Sequence, residues 1–329
     1  MRKAVILSTG SYAPELVLPN SYFDKLLGEN VSNWLEENLN IYERHWCKEN
    51  ESTADLCQHA SEKALLNAGI NANDIDLIII STDTPEYISP STASVLQNRI
   101  GATNAGTFDI NSACAGFVTA VDIGAKYIIA DDKYKYILVI GAYAMSKYLD
   151  KTDKKTVNLF ADGAGAVILQ SKENTTRGFL DSELHTEGQY HSWMGIYAGG
   201  THKPITEETI AKKDNLLKFV SKFPKEFNVD KWSKTIENIT SRINIKPTDI
   251  DHYFFTQINI NTIHQTLDAL GVPREKAHTI MDRYAYTGSA CIPMAIDDAV
   301  KQGKLKENDL IVLMGSGGGL AFAGAVLRW

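Results

Sequence analysis

The sequence predicts an α/β fold made of two related halves, and three observations carry that expectation. Short apolar runs alternate with amphipathic segments along the chain, the pattern of strands joined by crossover helices. Segments of the first half recur in the second in the same order. Asp74-Ile75-Asp76 with its apolar run returns as Asp249-Ile250-Asp251, Ser112-Ala113-Cys114 as Ser289-Ala290-Cys291, 137–141 as 310–315, and 165–169 as 324–328. Three of these matches lie roughly 175 residues apart. The length, 329 residues, accommodates two such units. The expected division is 1–172 and 173–329, packed about a pseudo-twofold axis with the site where the halves meet.

In the first half the apolar runs place strands at 4–8, 76–81, 106–110, 136–141 and 164–170, and helices at 52–68, 90–100 and 114–130. On the first helix Ala54, Leu56, Ala60, Ala64 and Leu65 form one apolar stripe opposite Asp55, Glu62 and Lys63. The second half places strands at 178–184, 252–256, 277–281, 309–314 and 322–328, with helices at 207–220, 230–243, 259–270 and 291–302. The stretch 186–235 breaks the repeat. It holds glycines, prolines and eight lysines from Lys203 to Lys234, and reads as an inserted loop with a solvated helix.

Composition narrows the function. Hydrophobic residues make up 44% and charged residues 22%, as in ordinary globular enzymes. A net charge of −7 argues against a nucleic-acid partner and offers no attraction to an acidic carrier protein. No apolar run is expected to reach the roughly 18 residues of a membrane span, and the first seven residues are too short for a signal peptide. Cys47, Cys57, Cys114 and Cys291 show neither metal-site nor disulfide-framework spacing. Free thiols, no metal and a cytoplasmic location follow as expectations.

Cys114 carries the chemistry. It stands between the strand at 106–110 and a helix of small and apolar residues. A thiol at a helix N-terminus meets unpaired N–H groups and the positive end of the dipole, both of which favour the nucleophilic thiolate. Ala115 and Gly116 keep the first turn narrow enough for a carbonyl to approach.

The run Ser112-Ala113-Cys114-Ala115-Gly116-Phe117, together with Phe160-Ala161-Asp162-Gly163-Ala164-Gly165-Ala166 and Gly317-Gly318-Gly319, resembles ketoacyl-acyl-carrier-protein synthase III of the thiolase superfamily. Gly10-Ser11-Tyr12-Ala13-Pro14 and Glu43-Arg44-His45 extend the resemblance over nearly the whole chain. It implies a thiolase fold, duplicated halves in a five-layer αβαβα sandwich, assembled as a homodimer. It also implies that Cys114 takes an acyl group from a thioester, with the N–H groups of Cys114 and Gly318 as oxyanion hole. Acyl-CoA is then a substrate, and no cofactor is implied.

The departures are informative. Where the family carries a His-Gln-Ala-Asn motif, this chain reads Thr256-Gln257-Ile258-Asn259, so Thr256 replaces the histidine that assists malonyl decarboxylation. Where the family carries Gly-Asn-Thr-Ser, it reads Ala285-Tyr286-Thr287-Gly288, so Tyr286 replaces the asparagine. Neither can act as a base near pH 7. The following helix, 261–270, lacks Lys and Arg, which makes carrier-protein docking doubtful and favours a CoA donor. Trp34 matches a tryptophan that stacks on the CoA adenine, though a core anchor explains it equally. Asn259, Gly317, and Ser89 and Ser316 (at positions where relatives carry pocket aromatics) are further candidate substrate contacts. Glu86, across a dimer interface, and His191, in the insert, are candidate bases. His185 and Cys291 read as structural.

The favoured expectation is an acyltransferase of secondary metabolism, moving an acyl group from acyl-CoA through acyl-Cys114 to a small-molecule acceptor. A condensing enzyme that forms a carbon–carbon bond, or a weak subunit completing a heterodimeric ketosynthase, remain open.

Overall fold

The recurring Asp-Ile-Asp has a mechanical reason. The first aspartate of each pair closes a short 3-10 turn, Asp74 accepting from the Asn71 N–H at 2.8 Å and Asp249 from the Lys246 N–H at 2.8 Å. The second ties the start of a strand to its neighbour: Asp76 accepts from the N–H groups of Lys135 and Tyr136, and Asp251 from that of Leu310. Each motif therefore launches a strand in fixed register. The architecture that follows comes from a computed structural model, which describes residues 2–224 and 226–329.

A five-stranded sheet runs in the order Lys3–Tyr12, Asp162–Lys172, Tyr136–Ala144, Leu77–Ser81, Gly106–Ile110. A four-stranded sheet runs Gly178–Thr186, Ala321–Arg328, Leu310–Gly317, His252–Phe255 in the corresponding order. Directions match as well. In each sheet the first two pairings are antiparallel, and the next is parallel. The place of a fifth strand in the second sheet is held by a single parallel bridge from Tyr253 to Ala277, so the strand expected at 277–281 is reduced to one residue. The strand Leu77–Ser81 is buried along its whole length, because helices cover both faces of a parallel sheet.

Helices Gly116–Ala130 and Cys291–Lys301 lie between the sheets and share one core with the inner faces of both. Helices Thr53–Ala68 and Thr92–Ile100 cover the outer face of the first sheet, and Phe227–Arg242 with Ile260–Ala269 cover that of the second. The result is five layers in αβαβα order. The central position explains a correction: the window Ala113–Ala130 is long and apolar enough to cross a membrane, but 67% of it is buried here among strands. A helix packed between two sheets over most of its length is apolar on most of its faces, and only its last turns, with Lys126 and Tyr127, reach the surface.

The insert also differs from expectation. Only Glu207–Ala211 is helical within 207–220, and Lys218–Phe219 instead pairs antiparallel with Met194–Gly195. Asp214 gathers Lys203 and Lys218, while Lys212, Lys213 and Lys231 pair with Glu208, Asp150 and Glu187. Much of the lysine run is thus tied to local carboxylates. The helices Asn20–Leu27 and Ser32–Leu39, and the strand pair Leu16–Pro19 with Glu43–Trp46, were not expected. Arg44, fully buried, fastens this cap through the Leu18 and Asn158 carbonyls and Asn20 Oδ1.

The halves interlock at the turn Gly288–Ala290. The Ser289 hydroxyl donates to the carbonyls of Ser81 (3.1 Å) and Ala142 (2.8 Å). A Cβ on Gly141 would sit 2.2 Å from the Ser289 carbonyl oxygen. Gly141→Ala is expected to destabilise the protein by about 1–3 kcal/mol, as overpacking does; the midpoint of urea unfolding measures it.

Candidate active site

Cys114 leaves the first sheet on a sharp turn. Ala113 takes φ = 46°, a left-handed conformation that a residue with a Cβ adopts at a cost of about 1–3 kcal/mol. That turn lifts Cys114 to the base of the helix Gly116–Ala130, where its side chain is 2% exposed. The strand Leu310–Gly317 passes directly behind it: a Cβ on Gly317 would lie 2.3 Å from the Cys114 nitrogen. Only glycine lets the two backbones approach this closely.

The thiol's electrostatics depart from expectation. Burial first, and the Asp83 carboxylate second, push Cys114 well above its ordinary value; the Tyr286 side chain, set against the sulfur, offsets part of this. The helix begins only at Gly116, and the N–H groups of Ala115 and Gly116 already donate to the Ser112 and Ala113 carbonyls. The expected resting thiolate is therefore corrected to a resting thiol, because desolvation of the anion outweighs the helix terminus.

Tyr286 is 3% exposed and is held by its backbone, its N–H donating to Leu159 and its carbonyl accepting from Ala161. Its ring packs on Phe160 at 5.7 Å, and Phe160 in turn meets Tyr143 (6.3 Å) and Phe219 (6.1 Å). Thr256 is buried, and its Oγ1 accepts from the Ser316 N–H at 3.3 Å. Thr256 and Ser316 are thereby joined at the ends of adjacent strands. The motif 160–166 is structural: Asp162 receives the N–H groups of Cys47 and Ser146, and the Phe160 carbonyl receives the Trp46 indole N–H.

Two hollows flank this centre. The larger, about 610 Å³, opens at the surface beside Trp34, which is 53% exposed, and is lined inward by Val31, Leu159 and Phe219 with Lys154, Lys155 and Lys222 around it. Exposure rules out the alternative of Trp34 as a core anchor. A smaller cavity, about 270 Å³, holds Gly318, Ala113, Tyr143, Asp83 and His191.

The remaining sequence candidates go elsewhere. Asn259 caps the helix Ile260–Ala269, its side chain accepting from the Asn261 N–H. Ser89 lies exposed in a separate groove with Tyr87, Phe108 and Asn111. Glu86 is a correction within this chain: its carboxylate receives the Ser52 hydroxyl and the Ala54 N–H at the start of helix Thr53–Ala68 and faces Arg99, so its oxygens are committed there. His185 pairs with Glu187. Cys291 is 1% exposed, and burial pushes its thiol up to about 12, yet it lies close enough to Cys114 to disfavour charge there. Sequence reasoning missed Asp83, a lone carboxylate in Thr82-Asp83-Thr84 that carries no motif, and the lysines gathered around the large hollow. No cluster of His, Cys, Asp or Glu suited to a metal occurs among the described residues.

A five-layer α/β sandwich with a cysteine at the inner turn defines a thiolase-fold acyl-transferring or condensing enzyme. The model for 3-oxoacyl-[acyl-carrier-protein] synthase III matches residues 108–188, and that for its C-terminal region matches 240–329. The chain is 37% identical over 327 residues to the β-ketoacyl-[acyl-carrier-protein] synthase III of Clostridioides difficile, covering 99% of this chain and 98% of that one. The corresponding protein of Natranaerobius thermophilus is 35% identical over 331 residues, covering all of both. The crystal structure of 3-oxoacyl-[acyl-carrier-protein] synthase III from Aquifex aeolicus superposes with a TM-score of 0.89 at 30% identity, over 99% of this chain and 100% of that one. The chain belongs to the 3-oxoacyl-[acyl-carrier-protein] synthase III family.

Tyr286→Phe removes the hydroxyl that favours the Cys114 anion while keeping the aromatic packing. Alkylation of Cys114 by iodoacetamide at pH 7.5, followed by intact mass, is expected to slow about tenfold, the equivalent of one hydrogen bond to a charged group.

Proposed function

We propose that this enzyme transfers an acyl group from acyl-CoA to Cys114 and then to a small-molecule acceptor, without decarboxylating a malonyl thioester, in secondary metabolism. One observation carries the reading: a tyrosine and a threonine stand where the family's asparagine and histidine would steady a malonyl-derived enolate. Tyr286 fills the space against the Cys114 sulfur, and the Thr256 oxygen already accepts from Ser316. Losing each such oxyanion donor costs about 3 kcal/mol.

The large hollow suits the donor. Trp34 offers a face for a purine, and Lys154, Lys155 and Lys222 offer charge for phosphates. Leu159 and Phe219 lead inward to Phe160 and Tyr286. The N–H groups of Cys114 and Gly318 supply the oxyanion hole, with Gly317 setting the approach. The thioester brings its own activation, so no cofactor is needed. Docking of an acidic carrier is weak in this reading, since helix Ile260–Ala269 carries no Lys or Arg.

The enzyme acts as a homodimer in the cytoplasm, its halves divided near 172/173. Strand Gly106–Ile110 ends its sheet with an open edge, and Tyr87 and Ile88 stand 54% and 87% exposed on a nearby loop, the features that a second copy would cover. The four free cysteines fit a reducing compartment. A condensing enzyme is the second reading, favoured by the relatives, which are named β-ketoacyl-[acyl-carrier-protein] synthase III.

Incubation with a panel of acyl-CoAs is expected to add one acyl mass to the wild type and to Cys291→Ala, and none to Cys114→Ala. Intact-protein mass spectrometry reads this, and loading that persists in Cys114→Ala would refute the acyl-cysteine.

Carbon dioxide release from malonyl-CoA or malonyl-carrier separates the two readings. A rate at least 100-fold below the roughly 10 per second of a typical enzyme is expected, whereas brisk release would establish the condensing enzyme.

A further inference from the structure

Acyl transfer through Cys114 leaves a proton unaccounted for. The cysteine rests as a thiol, while the side chains at the two substituted positions, Thr256 and Tyr286, cannot act as bases near neutral pH. Glu86 is committed to a helix start, and His191 stands exposed at the mouth of the smaller cavity. One carboxylate remains near the sulfur. Asp83 follows the strand Leu77–Ser81, on the loop leading out of the first sheet, and lines the cavity that also contains Gly318 and Ala113, the residue before Cys114.

Asp83 is set apart from the other carboxylates of the described residues by one unpartnered oxygen; the bond it does make is to its own backbone N–H. Its Oδ1 is sealed from water and has no hydrogen-bond partner, and no lysine, arginine or histidine pairs with it among the described residues. Asp162, also buried, receives two backbone N–H groups and the Ser146 hydroxyl by contrast. The residue is half-buried, but a carboxylate oxygen sealed from water and left unpaired is costly to the fold unless it is used.

We propose that Asp83 is the general base of this enzyme, passing the proton between Cys114 and the sulfur or other heteroatom that enters and leaves. This rests on the acyl-cysteine reading above. In the loading step the Cys114 sulfur bonds to the donor carbonyl carbon, its proton goes to Asp83, the bond from that carbon to the CoA sulfur breaks, and Asp83 returns the proton to the departing thiolate. In the second step Asp83 takes the acceptor's proton as the acceptor attacks. The carbon–sulfur bond to Cys114 breaks, and the proton goes back to the cysteine. Both steps balance without any further reactant.

The charges support the cycle. Burial pushes Asp83 up to about 6, the range of a working base near neutral pH. The groups facing it are Cys114, Tyr143 and Tyr148, whose ionisation its charge opposes, with His191 and Tyr197 further around the cavity. Cysteine and aspartate disfavour each other's negative charge, so a proton that leaves the sulfur has reason to stay on Asp83 until the leaving group claims it. Acylation leaves the cysteine with no proton to give up and no charge to acquire, so Asp83 is free to ionise for the second step.

The test is Asp83→Asn, which keeps shape and removes the base, assayed with acetyl-CoA as the probe donor. Acetyl loading of Cys114 is expected to slow at least 100-fold, and the fall in wild-type loading as pH drops through about 6 should vanish. Iodoacetamide alkylation of Cys114 should move the opposite way and accelerate at pH 7.5, because the neighbouring negative charge is gone. The thermal midpoint at pH 7.5 should rise, since an uncompensated buried anion has been neutralised. A variant that loads at the wild-type rate overturns the proposal, as does one that loses loading and alkylation together with a lowered midpoint, the signature of a structural residue. Wild-type enzyme that never takes up acetyl or any longer acyl group would instead defeat the acyl-cysteine reading, which keeps the two failures apart.

Discussion

Backbone contact between the halves is the constraint on which the site depends. The nucleophile's turn, the strand Leu310–Gly317 behind it and the turn Gly288–Ala290 beside it meet at separations that leave no room for side chains. Gly317 against the Cys114 nitrogen and Gly141 against the Ser289 carbonyl are the two tightest such meetings in the centre. Each half supplies the glycine at one contact and the opposing backbone at the other. The pseudo-twofold arrangement is therefore fastened at the place where chemistry occurs. Packing this close transmits position accurately: a shift in the second sheet would move the strand Leu310–Gly317, and Gly318 after it, relative to the turn that carries Cys114.

Around this rigid centre, burial decides the protonation states. A thiol buried in the same core as Ala115, Phe117, Tyr143 and Phe160 gains good packing but loses the water that would stabilise its anion. The helix behind Cys114 does not compensate, as its first N–H groups are spent on the turn that aims the residue. Nucleophilicity must then come from proton removal during the reaction rather than from a resting thiolate. An aromatic cluster of Tyr143, Phe160, Phe219 and Tyr286 packs around this centre and supplies bulk there.

Legibility followed the strength of local signals. The repeated Asp-Ile-Asp could be found because each aspartate caps a turn and pins a strand, a job that tolerates few other residues. Apolar runs marked the central strands, since a parallel strand enclosed by helices is apolar on both faces. Ala277 was read as part of a strand because its apolar neighbours serve the core without forming a ladder. The cap built from 16–46 was invisible: its helices are eight residues each and mostly exposed, and its anchor, Arg44, is a charged residue that no apolar pattern would place in the interior. Lys203 and Lys218 looked like a solvated face because the carboxylate that gathers them, Asp214, reaches Lys203 from eleven residues away, in a segment where no continuous helix makes its i,i+4 spacing to Lys218 a signal.

Asp83 shows why a site can be harder to read than a fold. Its significance comes from what is missing around it, and a missing partner leaves no trace in the chain. Thr82-Asp83-Thr84 looks like an ordinary loop after a strand, where aspartates commonly bond nearby N–H groups. Here the neighbouring threonines bond one another instead, Thr84 donating its N–H to Thr82 Oγ1 at 3.0 Å and Thr84 Oγ1 accepting the Ala144 N–H at 2.9 Å. The threonines hold the loop between them, and the aspartate bonds its own N–H. A carboxylate oxygen left without a partner, in a cavity beside the turn that carries a buried thiol, is a cost to stability, and the two loops meet because the strands they follow, Leu77–Ser81 and Gly106–Ile110, are neighbours in the first sheet.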